Sequence, residues 1–93
     1  MDKKQFIVLA IYDITDNKRR TRMVKCLESF GMRVQKSAFE ALLNSRQYQK
    51  LLKRSSKIIH EETDSLRVYI LDDVVNVYTW GIGDRKESDC IVL

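Results

Sequence analysis

Residues 5–12, Gln5-Phe6-Ile7-Val8-Leu9-Ala10-Ile11-Tyr12, decide the fold prediction for this chain. In an extended strand, successive side chains point to opposite faces, so the even-numbered residues of this stretch share one face and the odd-numbered residues share the other. Apart from Gln5, both sets are apolar or aromatic. A strand that is apolar on both faces is typical of the middle of a sheet that is covered on both sides.

A helix is predicted to follow this strand. The short side chains of Thr15-Asp16-Asn17 can accept hydrogen bonds from the first free backbone N–H groups of a helix. Met23, Val24, Leu27 and Phe30 then recur at the spacing of one helical face. Gly31 is predicted to end the helix in the left-handed conformation.

The rest of the chain predicts three or more further strands and a second helix. Residues 32–36 and 37–43 read as two short strands that meet at a bend near Lys36-Ser37. Asn44-Ser45 is predicted to cap a second helix, and a fourth strand is predicted over 66–71. A further strand is expected over 74–80, a turn region over 81–88 and an extended end over 90–93. The apolar face of the second helix is predicted to comprise Tyr48, Leu51, Leu52, Ile58 and Ile59.

The order strand, helix, strand, strand, helix, strand predicts an α+β, ferredoxin-like βαββαβ domain over residues 1–93. Right-handed crossovers place both helices on one face of an antiparallel sheet and leave the other face bare. Because the first strand is apolar on both sides, a second copy is predicted to cover the bare face in an isologous dimer. Residues 74–93 are predicted to be a C-terminal extension that is exchanged in this dimer or contacts another partner.

Composition favours a globular domain. The chain has 93 residues, 44% of them apolar, and no proline. Its longest apolar run, Phe6 to Ile11, is far shorter than the roughly 18 residues that span a membrane, and no small-residue cleavage site follows it. No membrane contact and a cytoplasmic location are therefore expected. Cys26 and Cys90 fit neither a metal-ligand spacing nor a disulfide framework.

Positive charge is concentrated in residues 1–60, which hold 14 Lys/Arg against 5 Asp/Glu, whereas residues 61–93 hold 3 against 8. Such density predicts a polyanionic partner such as nucleic acid, although a charged helical face can also be merely solvated. The second helix carries an acid-free face made of Arg46, Lys50, Lys53, Arg54 and Lys57. His60, the single histidine, is predicted to complement the C-terminal end of this helix.

Three segments, in order, resemble a known family. They are Tyr12-Asp13-Ile14 at the exit of the first strand, Arg33-Val34-Gln35-Lys36-Ser37-Ala38-Phe39-Glu40 after the glycine, and Asp64-Ser65-Leu66-Arg67-Val68-Tyr69 at the entry to the fourth strand. With them the chain resembles the second of the two core CRISPR adaptation proteins, the small ferredoxin-like, nuclease-family subunit that partners the CRISPR integrase. The loop after Trp80 is long, and the tail of this family varies, so partner contacts there are not carried over.

The resemblance implies a homodimer that bridges integrase subunits on DNA and helps to insert short DNA into the CRISPR array. It also implies an endonuclease that uses Mg²⁺ or Mn²⁺ to cleave RNA or double-stranded DNA, with Asp13 as its metal-binding, catalytic aspartate. A small toxin-like endoribonuclease of the same fold is the alternative, and the segment that begins at Arg33 argues against it. The bridging role is expected to be the essential one.

The residues themselves support a site at Asp13, because a carboxylate at a strand exit presents the hard oxygens that Mg²⁺ prefers. The other interpretation is that Asp13 and Asp16 only shape and cap the turn. The Tyr12 hydroxyl is predicted to reach a phosphate or the waters of the metal, or to form a hydrogen bond in the dimer. Phe39 is predicted to pack in the dimer or close over the site, or to lie in the plain core as aromatic strand residues usually do. Nucleic-acid contacts are predicted for Arg19, Arg20, Arg22, Arg33, Lys50, Lys53, Arg54 and Lys57.

Overall fold

The computed structural model describes residues 4–71 together with Tyr78 and Trp80. It contains β1 (Phe6–Asp13), α1 (Asn17–Glu28), β2 (Met32–Gln35), β3 (Ala38–Leu43), α2 (Ser45–Ser56) and β4 (Ser65–Leu71). The four strands form one antiparallel sheet in the order β2-β3-β1-β4. This is the predicted α+β, ferredoxin-like arrangement. The strand expected over 74–80 and most of the extension over 74–93 lie outside the described residues.

β1 is an interior strand of the sheet, as its sequence predicts. Its register places Val8 between Ala41 of β3 and Ile70 of β4. Ala10 lies in the same way between Phe39 and Val68. The even-numbered residues of β1 therefore share one face with alternate residues of both neighbouring strands.

Both helices pack on this even-numbered face. The core there combines β1 and β3 side chains with Met23 and Leu27 of α1 and Leu51 of α2, all of them almost completely buried. The phenol ring of Tyr12 and the side chain of Ile14 belong to the same core. Burial of these apolar side chains is the main source of stability for a domain of this size.

The opposite face of the sheet, which we call the open face, carries exposed apolar side chains. The large ones are Ile11, Met32, Leu42 and Tyr69, each between 39% and 48% exposed. Alternation along the strands places Leu9, Glu40 and Arg67 on this face as well. Ile7 also lies on this face but is only 1% exposed, so the face is covered at that point. A group of exposed apolar side chains is typical of an interface. No helix in the described part of the chain is long and apolar enough to cross a membrane.

Asp16 and Asn44 cap the two helices as predicted. The Asp16 side chain accepts a hydrogen bond from the backbone N–H of Arg19. Asn44 and Gln47 form a reciprocal capping box, with both bonds at 2.9 Å. Because the Asp16 carboxylate is used in this way, its role is that of a helix cap.

Gly31 follows α1, but its predicted left-handed conformation is wrong: its φ lies outside that region, and Ser29 is the C-cap residue. The glycine is needed because β3 passes close to its α-carbon. A Cβ atom at this position would lie 2.1 Å from the carbonyl oxygen of Glu40 and 2.7 Å from the Cβ of Ala41. The missing side chain therefore allows α1 to lead directly into the sheet.

α2 is shorter than its apolar periodicity predicts. The helix ends at Ser56, with Lys57 as its C-cap, so Ile58 and Ile59 lie beyond it while still packing against the core. The hydroxyls of Ser55 and Ser56 donate to the carbonyls of Leu51 and Lys53, a local pairing that competes with helix continuation. The prediction that His60 lies at the helix end is also wrong, because His60 lies in the loop before β4.

Candidate functional site

A cleft of about 400 Å³ lies where β1 leaves the sheet. We call it the Asp13 cleft. Its lining residues are Tyr12, Asp13, Ile14, Arg20, Arg33, Lys36 and Ser37. Asp13 is the last residue of β1, is exposed, and shares the parity of the open face. The cleft thus brings one carboxylate together with three exposed cations, an arrangement suited to a phosphate group beside a metal ligand.

The wall opposite α1 is built by the turn between β2 and β3. The carbonyl oxygen of Lys36 accepts three hydrogen bonds, from the Tyr12 hydroxyl at 3.0 Å and from Nε and Nη2 of Arg33 at 3.0 and 2.6 Å. The backbone N–H of Tyr12 donates to the carbonyl of Ser37 at 3.0 Å. These bonds hold the β2–β3 turn against the end of β1, and so they fix the position of Lys36.

Tyr12 is 2% exposed, and its hydroxyl has an intramolecular partner in this turn. The structure therefore gives Tyr12 a role in shaping the cleft, and its predicted contact with a phosphate or with metal-bound water stays a prediction. Phe39 is also 2% exposed and lies in the core, with its ring centroid 6.3 Å from that of Tyr12. Phe39 therefore packs against Tyr12, a lining residue of the cleft, from the core side.

The arginines of α1 diverge in the structure. Arg20 lines the Asp13 cleft, and its guanidinium donates to the carbonyl of Ile14 at 2.9 Å and to the side chain of Asn17. Arg22 is exposed on α1 but is not among the lining residues. Arg19 forms an ion pair with Asp64, with 2.8 Å between Nε and Oδ2. Of these three arginines, the structure brings only Arg20 to Asp13.

Lys36 is a cleft residue that sequence reasoning did not include. The sequence did contain features that point to Lys36. A bend was predicted at Lys36-Ser37, and antiparallel pairing places the start of β3 beside the end of β1. The bond between Tyr12 and Ser37 completes this approach. Cationic residues in hairpin turns that abut a strand exit are therefore candidates for the same site.

Asp64 forms a second polar centre next to the cleft. Its carboxylate accepts from Arg19 Nε and Nη2, from the backbone N–H groups of Thr15 and His60, and from the hydroxyl of Thr63. Its side chain has no exposed surface. The hydrogen bond from Arg19 holds the pKa of Asp64 well below its usual range and outweighs the burial that would raise it. Sequence reasoning used Asp64 only as part of a motif and missed this role.

We expect acid to destabilise the protein through Asp64. Because its pKa is lowered on folding, the carboxylate contributes stability above the unfolded-state pKa of about 4, and this contribution is lost as the pH falls towards the folded-state value. Asp64→Asn removes the titrating group, so the free energy of unfolding of this variant should depend less on pH in this range. Urea unfolding of both proteins between about pH 6 and pH 3 measures the difference. Equal pH slopes would contradict the assignment.

The cationic face of α2 is separate from the Asp13 cleft. Arg46, Lys50, Lys53 and Lys57 are exposed and follow one another at spacings of three or four residues, which forms a single stripe. Arg54 differs, because its guanidinium lies 5.7 Å from the centroid of the Phe30 ring and so contacts the side chain that closes α1. The stripe is suited to a run of backbone phosphates.

Asp13 supplies the one carboxylate in the lining of its cleft, and no group of three His, Cys, Asp or Glu side chains in the described part of the chain could hold a metal ion. Mg²⁺ often binds through one or two carboxylates and keeps several of its waters. The residues present therefore fit half of a divalent-metal site.

Several known proteins are similar to this chain. Residues 6–76 match the family model described as CRISPR associated protein Cas2. The chain is 45% identical over 82 residues to the CRISPR-associated endoribonuclease Cas2 3 of Chloroflexus aurantiacus, covering 86% of this chain and 87% of that protein.

Two solved structures are also similar. One is a hypothetical protein, TT1823, from Thermus thermophilus, with a TM-score of 0.74 and 33% identity over 84% of this chain and 95% of that one. The other is Streptococcus pyogenes Cas2, with a TM-score of 0.65 and 34% identity over 70% of this chain and 84% of that one. The family match covers most of the chain and decides between the two families considered from sequence. The chain belongs to the CRISPR-associated Cas2 family.

Proposed function

We propose that this protein is a homodimeric endonuclease and DNA-bridging subunit of CRISPR spacer acquisition. The observation that carries the proposal is the Asp13 cleft, in which an exposed carboxylate lies with Arg20, Arg33 and Lys36 at the edge of the open face. The name of the Chloroflexus relative supports RNA as a substrate for cleavage. The stripe on α2 supports a second, non-cleaving contact with duplex DNA.

Different residues of the cleft would bind the metal ion and the phosphate during cleavage. Asp13 would hold a Mg²⁺ or Mn²⁺ ion, which supplies a polarised water and offsets charge on the phosphate when bound. Arg20, Arg33 and Lys36 would bind the phosphate and hold the phosphodiester in register with the carboxylate. Arg20 and Arg33 are already oriented by main-chain carbonyls, so little side-chain entropy is lost when they bind.

The dimer is proposed to form through the open face. Each of the four strands contributes an exposed apolar side chain to this face, and Glu40 and Arg67 add opposite charges to it. In an isologous pair each chain packs against a copy of the same face. Glu40 of each chain can then pair with Arg67 of the other, which gives two ion pairs. A shared metal ion further requires a dyad that brings the two Asp13 carboxylates close to each other.

We expect Leu42→Lys to weaken the dimer by at least about a hundredfold, because an unpaired ammonium would be buried in the interface. Leu42 is 48% exposed in the single chain, so folding should tolerate the change. Light scattering at micromolar concentration measures the result. Gln49→Lys adds the same charge on α2 and should leave the dimer intact. A dimeric Leu42→Lys would exclude this face, and a monomeric wild type would exclude the dimer.

Two assays on the wild-type protein test the function. Cleavage of RNA and of duplex DNA is measured with Mg²⁺ and with a chelator, and insertion of short DNA is measured together with the CRISPR integrase subunit. Metal-dependent cleavage is expected for the enzymatic role, and loss of insertion when this protein is omitted is expected for the bridging role. Absence of both results would overturn the proposal.

A further inference from the structure

The peptide group between Ile14 and Thr15, the second after Asp13, is held at both ends. The carbonyl of Ile14 accepts from Arg20 Nη1 at 2.9 Å, and the N–H of Thr15, the other end of the same peptide group, donates to Asp64 Oδ1 at 3.3 Å. Ile14 itself is 3% exposed and anchored in the core. The direction in which the chain leaves β1 is therefore determined by one arginine from α1 and one aspartate from the loop before β4.

The surroundings of the Asp64 carboxylate suit it to holding this peptide group and not to contact with solvent or ligand. Its side chain is fully enclosed, and its oxygens are occupied by the donors of Arg19, Thr15, His60 and Thr63. Arg19 approaches with Nε and Nη2 together, the fork geometry that fixes both partners. A carboxylate saturated in this way positions its neighbours strongly, because leaving any of these groups unpaired would be costly.

Asp64 is also linked to Asp13 by strand pairing. Asp13 pairs in register with Ser65, the residue that follows Asp64. Asp64 therefore holds the chain next to Asp13 from two directions, along β4 through Ser65 and across the turn through Thr15. A shift of Asp64 would therefore act on Ser65, which pairs with Asp13, and on Thr15, two residues beyond it.

We infer that Asp64, together with Arg19, is a positioning residue for Asp13, and that it orients the Asp13 carboxylate toward the metal without touching metal or substrate. The inference rests on the proposed role of Asp13. It assigns the guanidinium of Arg19 to this contact instead of to a nucleic-acid phosphate. Displacements of about 1 Å in a site that works by orientation cost up to about a hundredfold in rate.

The experiment compares Asp64→Ala, Arg19→Ala and Arg19→Lys with the wild type, at a temperature at which circular dichroism shows each to be folded. Glu62→Ala is the matched control, because it removes an exposed acid from the same loop. We expect Asp64→Ala and Arg19→Ala to lower kcat for Mg²⁺-dependent RNA cleavage by about ten- to a hundredfold and to leave KM for RNA nearly unchanged. Arg19→Lys keeps the charge but not the fork, so it should recover part of the rate.

A second readout does not depend on turnover. Amide NMR signals of residues 13–15 are followed while Mn²⁺ is added, since a bound paramagnetic ion broadens nearby signals. The Mn²⁺ concentration for half-broadening should rise several-fold in Asp64→Ala and stay unchanged in Glu62→Ala. In the absence of metal, the Thr15 amide should exchange faster with solvent in Asp64→Ala, because its acceptor is gone.

The outcomes separate this inference from the proposed function. If Asp13→Asn abolishes cleavage while a folded Asp64→Ala keeps wild-type kcat and Mn²⁺ midpoint, Asp64 only stabilises the fold and the inference is overturned. If Asp13→Asn keeps cleavage, the proposed function itself is overturned. Should Asp64→Ala fail to fold, the two Arg19 variants decide: a wild-type kcat and Mn²⁺ midpoint in Arg19→Ala would equally refute positioning through this pair.

Discussion

We expect Asp13→Asn to abolish the proposed Mg²⁺-dependent cleavage, with a loss of about a thousandfold or more. The amide keeps the shape of the side chain but loses the charge and one of the two hard oxygens that bind the cation. Asp13 is exposed at the end of β1 and is absent from the core, so fold and dimer should survive. DNA binding should be unchanged or slightly stronger, because a negative charge leaves a cleft that holds three cations.

Asp16→Asn is the matched control for this variant. It makes the same chemical change three residues away, at the N-cap of α1, where asparagine caps about as well as aspartate. Cleavage and stability should therefore remain close to wild type. Retained cleavage in Asp13→Asn, with this control also active, would show that Asp13 only shapes the turn.

Asp13→Asn also shows which of the two proposed roles, cleavage or bridging, is essential. Insertion of short DNA with the integrase partner should continue in Asp13→Asn if bridging is the essential function, since the α2 stripe and the open face are untouched. Loss of both cleavage and insertion, in a variant that still dimerises and still binds DNA and the partner, would make catalysis essential instead. Paired measurements on one preparation give this comparison directly.

Replacement of Lys50, Lys53 and Lys57 by glutamine is expected to weaken duplex DNA binding by about a hundredfold or more at 0.1 M monovalent salt. Each lost phosphate contact removes about 0.9 from the slope of log K against log salt, so one chain's three contacts remove about 3. Glutamine has nearly the helix propensity of lysine, so α2 should persist. Arg54 is left in place because its guanidinium lies over Phe30, and its loss would disturb the contact between the helices.

Binding is measured by fluorescence anisotropy over about 50 to 200 mM salt, a range in which the counterion effect is large. Lys18 and Lys25 on α1, changed together to glutamine, provide the control for loss of net charge, since neither lines the Asp13 cleft nor lies on the α2 stripe. A salt slope unchanged by the α2 substitutions, or lowered equally per charge by the α1 substitutions, would show that the stripe is merely solvated.

The order and kind of the elements could be predicted from sequence because they depend on local patterns. Apolar residues on both faces of the strand in residues 5–12 indicated an interior strand, and Asp16 and Asn44 indicated where the helices begin. Asp13 could be proposed as a candidate for the same reason, as a carboxylate at the point where an apolar strand stops, and its metal role stays a prediction. The predicted bend at Lys36-Ser37 also lies where the structure places the turn between β2 and β3.

Tertiary structure alone decided which charges meet. Arg19 and Arg20 are adjacent in a basic run, yet one pairs with Asp64, 45 residues away, and the other lines the cleft. Gly31 is required by the close approach of β3 and not by a left-handed backbone. Hydrophobic periodicity determines which face of an element is buried, but it carries no information about which loops the packed elements bring together. The partners of Asp64 and the cations around Asp13 follow from that meeting of distant loops, and so only the folded chain specifies them.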